Sequence, residues 1–170
     1  MALQPAIEFQ WHSSLGIATG CFLSYGLFSF VVSSILTPFL ARRMQRRILL
    51  IGPKSDTILF GRTPAELLNA CPEVGLVQHT LVMLAAGGLM SFAILQLALT
   101  WYGLRNGEPW AFWTLVIGDL SSLPFLAFYL RPFIQRGAPV FPRGLAAPPI
   151  FYFPFVIIPL AAVLGWLGLR

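Results

Sequence analysis

Charge is scarce in this 170-residue chain, since Asp, Glu, Lys and Arg make up only 10% of it and the acids number six. A water-soluble domain carries about a quarter, so an ordinary soluble fold is excluded. Cysteine is scarcer still. Cys21 and Cys71 have no metal-ligand or redox spacing, and the span assignment below puts them at different depths, which argues against a disulfide. The two histidines, His12 and His79, fall a membrane thickness apart and cannot share a metal. The sequence holds no Walker loop, dinucleotide fingerprint, metal-binding histidine pair or nucleophile elbow. No cofactor is implied.

Apolar residues are what the chain has in quantity. They make up 57% of it, and the mean hydropathy is +0.78. A bilayer-crossing helix needs about 20 mostly apolar residues. Four runs supply them, at about 15–41, 77–102, 110–130 and 150–169. The fold expected is all-α, an integral membrane four-helix bundle forming a single transmembrane domain over residues 1–170. The run after the first 14 residues is longer than the roughly 7 to 15 residues of a signal-peptide core, and no Lys or Arg precedes it, so it is read as a span.

Between the first two spans, 48–60 is apolar but broken by Gly52, Pro53, Lys54, Ser55 and Asp56, which suits a segment lying at the membrane surface. A second interfacial segment, 64–71, opens with Thr63, Pro64 and Glu66, the pattern of a capped helix start. The short turn Arg105, Asn106, Gly107, Glu108, Pro109 makes spans two and three antiparallel neighbours.

Eleven Lys and Arg against six acids give a net charge of +5. The cations cluster in the loops between spans one and two and between spans three and four, which the positive-inside rule places in the cytoplasm. Arg42, Arg43, Arg46 and Arg47 are a topology signal and also suit anionic lipid. All five tryptophans, Trp11, Trp101, Trp110, Trp113 and Trp166, then fall near the opposite face, as interfacial Trp should. Both termini are expected to be non-cytoplasmic. An inner, plasma membrane of a bacterium is the default location.

Asp119 is the most informative residue. It lies near the middle of span three, where an acid costs about 3 kcal/mol on insertion scales. It is nine residues past Trp110, roughly 13 Å along the helix. The same level in span two falls near Phe92, with Ser91 and Gln96 within a turn, and in span one near Ser24 and Tyr25. The candidate ligand-binding cluster is therefore Asp119, Ser91, Gln96, Ser24 and Tyr25. The plainer reading is a helix-to-helix hydrogen bond worth about 0.6 kcal/mol. Pro124 removes the backbone bond to Leu120, which Ser121 or Ser122 is placed to offset. Small residues at Gly16, Gly20 and Ser24, and at Gly87 and Ser91, make close-packing faces. Arg105 and Glu108 read as a solvated ion pair.

The long first loop, the short turn from Leu104 to Ala111, the Pro-bearing third span and the Pro-rich fourth resemble the layout of the EXPERA group, the emopamil-binding sterol isomerases and their four-span relatives. Those proteins carry acids on more than one membrane helix, whereas this chain has Asp119 alone. The same turn is similar to turns in small bacterial four-helix membrane proteins. The functions left open are binding of a lipid, lipophilic ligand or partner helix, isomerase-like catalysis on a lipophilic substrate, and carriage of protons or small solutes. Membrane lipids, a second copy in a homodimer or another membrane protein are the expected partners, and nucleic acid is not.

Overall fold

The structure, a computed structural model, describes residues 9–44, 48–140 and 153–170. Residues 150–152, where the fourth apolar run begins, lie outside the described residues, as do Arg46, Arg47 and Arg143. Every regular element among the described residues is helical: α1 (Ser14–Val31), a π-helical turn (Val32–Leu36), α2 (Thr37–Met44), α3 (Pro53–Phe60), α4 (Pro64–Ala70), α5 (Glu73–Tyr102), a 3₁₀ turn (Leu104–Asn106), α6 (Pro109–Gln135) and α7 (Phe153–Gly168). Three helical stretches, Ser14–Phe39, Glu73–Asn106 and Pro109–Gln135, are long and apolar enough to cross a membrane. The fourth apolar helix, α7, has 16 described residues.

The large apolar side chains of these helices face outward in number. Leu84, Phe125, Phe128 and Val156 are among the most exposed. In water such a surface would aggregate, whereas in hydrocarbon it is matched to its solvent.

The chain divides into two compact units. The first contains residues up to Phe30, Ser91–Ser121 and Ile150–Arg170. Its core is Leu15, Phe22, Leu104, Phe112, Leu115, Val116 and Ala161. Here α5 and α6 form an antiparallel pair, closed by the turn in which Gly103 packs on Ala111. That turn ends on Gly107 at φ 76, a left-handed conformation that costs other residues a Cβ clash. The Glu108 N–H then reaches back to the Gly103 carbonyl and the Gly107 N–H to that of Leu104, so the helix end leaves fewer bare carbonyls. Arg105 does not pair with Glu108 among the described residues. Its guanidinium lies over the Trp101 ring, 4.4 Å from the centroid, and Arg170 lies 4.6 Å from that of Trp166. Both cations of this unit thus keep a π face.

The second unit contains Val31–Met90 and Ser122–Pro149. Its described core is Leu59, Phe133 and Ala138, with Ile51 and Val140 against it. The carboxylate of Asp56, fully buried, accepts the N–H groups of Leu49 at 2.7 Å and of Leu50 and Ile51 at 3.1 Å. The Gln78 amide donates to the carbonyls of Ile48 and Leu49, and the Ser55 hydroxyl donates to Pro139. Residues 48–51 are therefore held by both their donors and their acceptors. At α4 the Thr63 side chain accepts from Glu66 N–H while the Glu66 carboxylate accepts from Thr63 N–H, the reciprocal cap expected from the sequence. α6 runs through Pro124 and Pro132 to Gln135. It ends where Gly137, φ 66, lets the Ala138 N–H return to Phe133.

Candidate functional site

All five cluster residues fall within the first unit, but they do not share one environment. Asp119 is 6% exposed and Gln96 1%. Tyr25 is half-buried, shares a hydrogen bond with the buried Ser29 hydroxyl, and interacts electrostatically with Asp119. Phe92 rests on Gly118, its ring 3.5 Å from where a Cβ would stand, so α5 and α6 meet beside Asp119. On the α1 side Gly26 admits Leu97, whose side chain lies 2.9 Å from the position a Cβ would take. Larger residues at Gly26 would push α1 from α5 at this level.

Ser24 and Ser91 are exposed. The Ser24 hydroxyl donates to the Gly20 carbonyl of its own helix. Depth alone groups Ser24 with Tyr25, yet successive helical residues differ by about 100° around the axis, and of the two Tyr25 is the one near Asp119. The Ser121 hydroxyl donates to the Gly118 carbonyl rather than to the Leu120 carbonyl freed by Pro124.

Gln96 stands out chemically. Neither its Nε2 nor its Oε1 has a hydrogen-bond partner among the described residues. One turn on, the fully buried Thr100 returns its hydroxyl to the Gln96 backbone carbonyl, and Thr19 does the same to Leu15. The hydroxyls along this core are thus satisfied within their own helices, while the amide is not. A buried donor and acceptor left open cost about 1 to 3 kcal/mol each. Among the described residues no group of three His, Cys, Asp or Glu side chains is placed to hold a metal ion.

Asp56 is the polar residue that reading the sequence missed. It sits in what reads as a polar break in an apolar segment, yet its carboxylate is enclosed by three backbone donors. Asp56 carries structure rather than chemistry, because those donors already occupy its oxygens.

The chain matches no family model, no curated protein and no solved structure.

Proposed function

We propose that this chain is a small integral membrane protein of four spans that binds a lipophilic molecule or partner helix bearing a polar group, with Gln96, Asp119 and Tyr25 as the polar anchor. α7 supplies the fourth span, because residues 150–169 together give about the 20 residues a crossing needs. The five tryptophans and the basic loops support termini on the non-cytoplasmic side of a bacterial inner membrane. A thiol-reactive, impermeant reagent should then label the exposed Cys71 only from the cytoplasmic side of sealed vesicles.

One observation carries the binding reading. Gln96 is buried with both ends of its amide unanswered among the described residues, and a ligand that answers both is an explanation for such a group. A hydroxyl, amide or carboxyl on an otherwise apolar ligand offers both the acceptor and the donor that Gln96 requires. The test is native mass spectrometry of the full chain released from nanodiscs, with Gln96→Leu and Asp119→Asn beside Ser24→Ala as control. A bound lipophilic species present in wild type and Ser24→Ala but lost in Gln96→Leu supports the reading. Identical bound species in all four proteins would overturn it.

The electrostatic interaction between the buried Asp119 and Tyr25 favours a second reading, in which the pair moves a proton on a lipophilic substrate. Catalysis requires that the species released by Tyr25→Phe differ in structure from the one released by wild type, whereas simple binding requires the same molecule.

A further inference from the structure

We propose that one exposed face of α6 is a seat for an anionic phospholipid, with the phosphodiester on Arg131 and an acyl chain lying over Phe128 and Pro124. Pro124, Ala127, Phe128, Arg131, Ile134 and Gln135 line an open groove of about 380 Å³. Their spacing of three and four residues places them on one stripe of the helix, and Phe128 is 71% exposed. Four of the six are apolar. The two polar ones occupy the end of the stripe nearer the helix C-terminus.

Position and charge name the occupant. Arg131 lies 21 residues after Trp110, the count at which a helix of 1.5 Å per residue has crossed a hydrocarbon layer of about 30 Å. Its guanidinium therefore reaches the level of lipid phosphates, while Phe128, Ala127 and Pro124 lie at the depth of the chains. Arg131 has no carboxylate partner among the described residues. The three acids of its unit are otherwise engaged: Asp56 by backbone donors, Glu66 by Thr63, and Glu73 by the Cys71 thiol. A planar guanidinium suits a phosphate in two-point contact, with the Gln135 amide as a further donor. Free phosphate would satisfy the charge and leave the apolar groove empty, so the occupant is a lipid.

The seat rests on the membrane reading above but not on the Gln96 anchor. The experiment titrates the full chain in detergent with phosphatidylglycerol and counts retained lipid by native mass spectrometry. Wild type is compared with Arg131→Gln, Phe128→Ala, and Arg62→Gln as an exposed cation outside the groove. One lipid held in preference to phosphatidylcholine should bind roughly fivefold more weakly in Arg131→Gln, the worth of one cation at a lipid surface. It should weaken in Phe128→Ala and be unchanged in Arg62→Gln. Equal retention in all four proteins would overturn the proposal. So would an equal loss in Arg62→Gln, or displacement by millimolar inorganic phosphate.

Discussion

Gly165 on α7 meets the ring of Phe112 on α6 so closely that a Cβ at Gly165 would stand 2.5 Å from a ring carbon, with the Ala18 methyl of α1 3.6 Å away. Three helices of the first unit converge on a position that admits only hydrogen, and van der Waals contact of this kind holds membrane helices together where no hydrophobic force acts between them.

Gly165→Ala should therefore destabilise the protein by about 1 to 3 kcal/mol, the usual cost of an overpacked core. Gly20 offers the contrast, since among the described residues a Cβ there meets nothing within 4 Å. Gly20→Ala should be neutral or slightly stabilising. Thermal unfolding in one detergent, monitored by loss of helical circular dichroism, distinguishes the two. Equal melting temperatures would mean that the Gly165 contact does not hold the helices.

Replacing Asp56 should loosen residues 49–51. Asp56→Leu strands three backbone donors, and the loss of charge-assisted bonds of this kind costs on the order of 2 kcal/mol or more in all. Asp56→Asn, which keeps one acceptor oxygen, should lose less. Hydrogen exchange at Leu49, Leu50 and Ile51 is the direct readout. Protection unchanged in Asp56→Leu would contradict the capture of those amides by the carboxylate.

Gln96→Leu carries a prediction of opposite sign. Exchanging an amide that has no partner among the described residues for an apolar group of similar size removes a desolvation cost, so the ligand-free protein should gain about 1 kcal/mol in stability. The same change should abolish retention of the lipophilic species. Stability gained with function lost is the pattern expected of a binding site. A destabilised Gln96→Leu protein would show that the amide is satisfied in the folded state.

The cap of α4 makes its stability depend on pH. The Glu66 carboxylate lies below its ordinary value because it accepts the Thr63 N–H, with the Thr63 side chain and Arg62 adding smaller contributions. A carboxylate lowered in the folded state contributes stability above its unfolded pKa and loses it as pH falls through the folded one. Protection of the Thr63 amide should hold at neutral pH and fade on acidification past the usual carboxylate range. In Glu66→Gln that dependence should vanish.

Much of this was legible in the sequence. Thr63, Pro64 and Glu66 announced α4, because capping is decided by three neighbouring residues. The turn at Arg105–Pro109 and three of the four expected apolar spans followed from local composition in the same way, while the fourth is described only as the 16-residue α7. Asp119 was found because an acid in an apolar run is conspicuous. Asp56 was not, because its partners are backbone amides of residues 49–51 and any sequence offers those. Ser24 and Ser91 show the complementary limit. Counting rises along a helix gives depth, but which side of the axis a residue occupies depends on how each helix is rotated in its packing. The exposed Ser24 and the half-buried Tyr25 differ by one position on the same helix.

The turn Val32–Leu36 has an effect on the chain beyond it. There the Thr37 N–H reaches the Val32 carbonyl five residues back, so the turn accommodates one residue more than an α-helix would. Deleting a single residue within it should restore regular α winding while leaving the residues of α2 on the faces they occupy now, because the residue removed is the one the wide turn had absorbed.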